Sequence, residues 1–226
     1  MKSALPILAL LLFLIQSCKK EAEDTTIPPE PRGYTYIKDT ITSGQWQTFK
    51  IGSTSEEIYA SIQTFQANRN DDYLGITQNI YDQIEPLENK IPLYHQILFD
   101  HAIGSQYGIQ INFENDKVKS IYTNNGQKLN KWPEVVTQAS KSISPGDPIT
   151  GIYQKLVEIK KMHSFDPLLE RLSLGAKNIK KAYDPAMTNS PQWYLVTSVN
   201  TQKFLVTFNF TAGILTTINA DEMIPL

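Results

Sequence analysis

Three histidines and one cysteine make up the chain's whole stock of imidazole and thiol: His95, His101, His163 and Cys18. A zinc site needs three or four such ligands at short spacings. Asp100-His101 offers two adjacent donors, and nothing near it in the sequence completes a set. Asn68-Arg69-Asn70-Asp71-Asp72 has the acidic and amide character of a calcium loop. Such a loop would need glycine where Tyr73 stands and glutamate where Asn79 stands, so the pattern fails. Ser/His/Asp hydrolysis has no Gly-x-Ser-x-Gly elbow here, and no glycine-rich phosphate loop occurs. Glu56-Glu57 suits the dipole of a helix's first turn. Asn209-Phe210-Thr211 matches a glycosylation triplet but lies inside a predicted strand. The histidines therefore read as surface or rim residues. No catalytic residue, metal or cofactor is expected.

The chain has 226 residues, with 21 Lys+Arg against 23 Asp+Glu. A nearly balanced chain makes no basic field for a phosphate backbone, so nucleic acid is not an expected partner. A lone cysteine excludes a disulfide within the chain. Lys2 is followed by an apolar run from Ala4 to Ile15, interrupted by Pro6. That run is too short to span a bilayer as a helix and suits the core of a signal peptide, residues 1–17. It ends in Leu14-Ile15-Gln16-Ser17-Cys18, which resembles a lipobox. The resemblance implies cleavage before Cys18 and acylation of that cysteine, giving an outer-membrane lipoprotein that faces the periplasm or the outside. Two or more acyl chains anchor stably where one does not. Cys18 is thus expected to tie the protein to the membrane and not to act as a nucleophile or metal ligand.

Residues 18–33 hold charged, threonine and proline positions and almost nothing to bury, so they read as a disordered tether. Their Lys19-Lys20-Glu21 start resembles the signal that sends some Gram-negative lipoproteins to the cell surface. Asp24-Thr25-Thr26 and Asp39-Thr40-Ile41 resemble O-glycosylation triplets.

The remainder divides into two stretches, 34–130 and 131–226, with matching landmarks. Gly52, Ile58, Tyr59 and Ile62 correspond to Gly146, Ile152, Tyr153 and Leu156. Thr54 with Glu57 forms a capping-box pattern, and Ile58, Ile62 and Phe65 follow at helical spacing. Asp147-Pro148 opens the second copy as a predicted N-cap and first helical residue. Thr77 to Ile84 predicts a shorter second helix, with Leu172 to Tyr183 as its counterpart. Strands are predicted at Leu93–Asp100, 108–114, 117–122, 192–199, 204–210 and 214–219, with turns at Asn115-Asp116 and Ala212-Gly213. The expected fold class is α+β: two tandem repeats, each an amphipathic helix plus a short second helix packed on its own antiparallel meander.

A loop glycine, a short step, an amphipathic helix and a meander resemble the superfamily of the β-lactamase inhibitor proteins and the small SmpA/OmlA assembly lipoproteins. The residues carrying this resemblance are Gly52, Thr54, Glu57, Ile58 and Ile62, with Gly146, Ile152 and Leu156. The chain departs from secreted inhibitors in having no cysteine pairs, and from both groups in the length between helix and sheet. The resemblance implies binding without catalysis.

The expected function is that of a lipid-anchored, non-catalytic binding protein whose partner is an envelope or secreted protein. An inhibitor of a secreted enzyme, or an envelope hydrolase with a dispersed active site, are the alternatives. Trp46, Trp132 and Trp193 are read mostly as core. The expected contact surface is the polar sheet face: Gln110, Asn112 and Lys119 in one stretch, Thr207 and Asn209 in the other. Cys18→Ser is expected to abolish incorporation of radiolabelled palmitate and to leave an uncleaved or soluble form. Undiminished labelling of that variant would overturn the lipobox reading.

Overall fold

Thr54 starts a helix by satisfying its own first turn. Its hydroxyl accepts from the Glu57 amide at 3.3 Å, and Glu57 Oε2 accepts from the Thr54 amide at 2.8 Å. The computed structural model describes residues 33–69, 73–102 and 105–226. The signal segment, Cys18, Asp24-Thr25-Thr26 and residues 70–72 of the acidic stretch lie outside the described residues.

Within Tyr34–Ile224, four short strands come first: β1 (Tyr34–Ile37), β2 (Thr40–Ile41), β3 (Gln45–Trp46) and β4 (Phe49–Lys50). The helix α1 (Ser55–Gln66) leads to β5 (Tyr73–Ile76) and β6 (Ile80–Tyr81). Then come β7 (Tyr94–Phe99), β8 (Ile109–Glu114), β9 (Lys117–Thr123) and β10 (Lys128–Leu129). Helices α2 (Ile152–Lys160) and α3 (Asp166–Leu169) precede β11 (Leu172–Asn178), β12 (Gln192–Val199), β13 (Gln202–Thr211) and β14 (Ile214–Pro225). Among the described residues no helix is long and apolar enough to cross a membrane.

The expected α+β class, with each helix on its own meander, is overturned. The chain is mostly antiparallel β, and 12 strands join in one sheet. Its order is β1-β14-β13-β12-β5-β11-β7-β8-β9-β10, with β2 on β14 and β6 on β11. Strands from both stretches interleave, because β5 pairs with β11 on one side and β12 on the other. The helices also cross over. Gly52 N donates to Leu215 O and Ser55 N to Gly213 O, each at 2.8 Å, so the lead-in to α1 grips the β13–β14 turn. Gly146 N donates to Val118 O at 2.8 Å and Ile149 N to Asp116 O at 2.9 Å, so the lead-in to α2 grips the β8–β9 turn. Both turns stand where the sequence puts them, and the left-handed backbone of Asn115, Asp116 and Gly213 suits those residue types.

The short second helices are also corrected. Gln78 adopts a left-handed backbone, and Asn79 Nδ2 donates to Leu174 O and to the Tyr94 hydroxyl. Within Thr77–Ile84 only Ile80–Tyr81 is a strand, paired with β11 beside these Asn79 contacts, and the rest is mostly bends. Leu172–Tyr183 contains a central strand, since Leu172, Leu174 and Ala176 are buried with sheet neighbours on both edges. Asp147 does not cap α2. Its carboxylate accepts from Ser144 N at 2.7 Å and Lys155 Nζ at 2.6 Å, closing the loop before a 3₁₀ turn at Ile149–Gly151.

One face of the sheet carries both helices. Ile58, Tyr59 and Ile62 of α1 pack with Phe49, Trp193, Val206, Phe208 and Ile218. Ile152, Leu156 and Ile159 of α2 pack with Phe99, Ile111, Val118, Ile121 and Trp132. Thr54→Ala is expected to lower unfolding free energy by about 1 kcal/mol through loss of the cap. Leu156→Ala is expected to lower it by about 2–5 kcal/mol by opening a cavity. Urea denaturation checks both; a Thr54→Ala protein as stable as the parent would contradict the capping geometry.

Candidate functional site

The sheet face away from the helices is built by strand alternation. In each antiparallel pair, facing residues point the same way, so cross-strand partners form rows. One row runs through Asn219, Thr207, Tyr194, Gly75, Ala176, Gln96, Asn112 and Ser120. Their neighbours one step along each strand, such as Trp193, Val206, Leu74 and Ile111, are buried against the helices. Asn112 and Thr207 therefore share one face, five strand spacings apart, about 24 Å. That face is uncharged along this row. Its centre is low, because Gly75 and Ala176 carry little or no side chain. The Tyr194 ring lies over Gly75, where an added Cβ would sit 2.2 Å from ring carbon.

At one end of the row the side-chain amides are linked. Asn112 Oδ1 accepts from Gln96 Nε2 and from Gln110 Nε2, both at 2.9 Å, and Asn112 Nδ2 donates to Ser120 Oγ at 3.2 Å. Beside this chain the sheet splits. The last β7–β8 pair is Gln96 with Asn112, β7 then bulges at His95, and the β8–β9 hairpin continues to Glu114 and Lys117. A trough of about 670 Å³ opens there, with Tyr73, Gln96, Asn112, Ser120 and Ala176 among its lining residues. Two ion pairs edge it: Lys119 with Glu114 at 2.7 Å and Lys181 with Asp116 at 2.8 Å. Tyr73 is 47% exposed. Burial and the hydrogen bond to Tyr194 push its hydroxyl up to about 12.

On the opposite face a lysine is fully enclosed. Lys177 has no exposed surface and lies in β11 between Leu74 and Tyr94 of the flanking strands. Its Nζ donates to the Tyr59 hydroxyl and to Asn178 O, each at 2.8 Å. The Tyr59 and Tyr94 rings lie 5.0 Å and 5.7 Å from that nitrogen. Tyr94 donates to Asp184 Oδ2 at 2.8 Å, and Lys90 donates to Asp184 Oδ1 at 2.7 Å. Burial pushes the Lys177 ammonium down to about 7, with the Asp184 carboxylate opposing the shift and Lys181 adding to it. The same burial raises the Tyr59 and Tyr94 hydroxyls. A closed lysine of this kind has no path to a substrate, so its effect is on stability.

The five surface residues read from sequence are placed as follows. Gln110 and Asn112 join one amide chain, and Lys119 stands at the adjacent hairpin tip, paired with Glu114. Thr207 and Asn209 lie on the same face across the sheet, where Asn209 Oδ1 accepts from Gln192 Nε2 at 2.9 Å. Cys18 lies outside the described residues. Sequence reasoning missed Tyr73, Gly75, Gln96, Ala176 and Tyr194, which join the two groups, and missed Lys177. The signal for Gly75 was available as a glycine between Leu74 and Ile76 in an apolar run. The histidines do not converge: His95 lies in the β7 bulge, His101 follows β7, and exposed His163 Nδ1 meets Asp166 Oδ2 at 3.0 Å. Among the described residues no three His, Cys, Asp or Glu side chains cluster as a metal site. Thr40 Oγ1 donates to Asn219 Oδ1 at 3.1 Å at the far edge of the row. No protein family, no curated protein and no solved structure matches this chain.

Lys177 predicts how stability depends on pH. Below about pH 7 folded and unfolded chains both hold its proton, and the fold bears the cost of a buried charge. From there toward the ordinary lysine value the unfolded chain binds more protons, so stability rises with pH. Above about pH 10 the raised Tyr59 and Tyr94 reverse the trend, because the unfolded chain loses protons that the fold retains. Urea unfolding at pH 9 is expected to give about 2 kcal/mol more stability than at pH 7. Lys177→Met is expected to flatten that rise. A parent protein equally stable at both values would contradict a buried, discharging Lys177.

Proposed function

We propose that this protein is a lipid-anchored, non-catalytic binding protein of the bacterial cell envelope that docks an envelope or secreted protein on its open sheet face. The observation that carries the reading is the unbroken row from Asn219 to Ser120, which makes the polar residues of two sequence stretches one surface. Helices consume the other face, so this is the broad side left for a partner. Asn, Gln, Thr and Ser side chains give it hydrogen-bonding capacity without a field of one sign. Tyr73 and Tyr194 supply rigid aromatic area near its centre, the type of residue that anchors protein contacts. The lipobox-like run ending in Cys18 supports membrane attachment.

Capture from envelope extract by the purified full chain tests this. Thr207→Glu should change stability by under about 0.5 kcal/mol. Asn112→Lys, which breaks the links to Gln96, Gln110 and Ser120, should lower it by about 1–3 kcal/mol, so folding of that variant is checked by thermal unfolding. Each should weaken retention of the captured protein at least fivefold. Retention unchanged in both variants, with loss in variants of the outer surfaces of α1 and α2, would refute docking on the sheet face.

A further inference from the structure

We infer that the trough beside the amide chain, at one end of the sheet face proposed above for docking, is a binding site for a neutral saccharide. A saccharide offers hydroxyl groups that both donate and accept, set around a ring with an apolar C–H face. The trough supplies matching parts. Gln96 and Asn112 line it, and Gln96 Nε2 is tied to Asn112 Oδ1, which also accepts from Gln110 Nε2 just outside the lining, so the amides are fixed in orientation. The Gln96 and Gln110 carbonyl oxygens accept no hydrogen bond among the described residues. Each Nε2 carries a second N–H beyond the one used in the chain. Donors and acceptors are therefore held in place before a ligand arrives, which lowers the ordering cost of binding.

Aromatic area is available as well. Tyr73 lines the trough with nearly half its surface exposed. Its ring is braced by Tyr194, the centroids 6.5 Å apart. A braced, exposed ring face is what the C–H side of a pyranose packs on. Ala176, also in the lining, leaves room next to that ring.

Charge selects the class. The edge ammonium groups of Lys119 and Lys181 are bound by Glu114 and Asp116. Lys180 also lines the trough and is itself engaged in an interaction. Among the described residues these edge charges are paired, which gives little attraction for a phosphate or an acidic sugar. The volume, about 670 Å³, falls in the range of small-ligand clefts.

The test uses the full chain in mild detergent on a printed array that carries neutral and acidic glycans side by side. Binding to neutral oligosaccharides is expected. Titration with the best neutral glycan should show Kd raised at least tenfold by Gln96→Ala and by Tyr73→Ala, and changed less than twofold by Thr207→Glu. The two trough variants lie on different strands, and thermal unfolding checks each. Shifts of the Tyr73 ring resonances in the parent protein on adding the same glycan give a readout that needs no variant. No glycan bound, acidic glycans alone bound, or neutral binding unchanged in both folded trough variants would overturn the site. Protein capture sensitive to Thr207→Glu persists in each of those cases if the docking surface stands, so the two proposals fail separately.

Discussion

Tyr73–Ile76 is only four residues long, yet it pairs along both edges. Gly75 faces Ala176 on one side and Tyr194 on the other. Without this strand the sheet would fall into a β11–β10 part and a β12–β1 part, each with a bare edge. An exposed edge row of amides and carbonyls invites wrong pairing, so the splice removes two liabilities at once. It also fixes the open face, because the rows on its two sides share a register only through Gly75. The glycine is required there: the Tyr194 ring occupies the space a side chain would need.

The splice creates a seam between the two cores, and Lys177 fills it. A lysine at 0% exposure is costly unless its nitrogen is satisfied or discharged. Tyr59 and Asn178 accept from it, two tyrosine rings flank it, and burial lowers its affinity for a proton. Tyr59 belongs to α1, Tyr94 to β7 and Asp184 to the loop after β11. The polar seam thus ties a helix, a strand and a loop that apolar contact alone would leave free to slide. The open polar face and the buried lysine lie on opposite faces of the same three strands, β5, β7 and β11.

Much of the local structure was legible. Thr54 and Glu57 cap α1 as their spacing requires, and the alternation from Ile109 to Phe113 and from Phe204 to Phe210 gave true strands with one buried face. Asn115-Asp116 and Ala212-Gly213 turn where turn chemistry says. What failed was the assumption that an element packs on its sequence neighbours. Helix α1 packs on β12–β14 and α2 on β7–β9, because Gly52, Ser55, Gly146 and Ile149 bond to hairpins far away in sequence. Periodicity carries no information about such long-range pairing. The β6 and β11 segments were misread for a related reason. A strand held in place by its sheet neighbours needs no long alternating pattern, and Ile80–Tyr81 is docked on β11 beside the Asn79 amide, which bonds Leu174 O. Gln110, Asn112, Thr207 and Asn209 could be assigned to outward positions from alternation alone. That they belong to one face depended on the splice, which the sequence does not announce.

The splice itself is the claim on which the open face, the trough and the seam all depend. Facing residues of an antiparallel pair have Cα atoms about 4.5–5.5 Å apart, close enough for nuclear Overhauser contacts. The most direct measurement is the set of such contacts made by Gly75 in the full chain. Contacts from Gly75 to both Ala176 and Tyr194 are predicted. Contacts from Gly75 to strands of residues 94–123, with none to Ala176 or Tyr194, would contradict the continuous sheet.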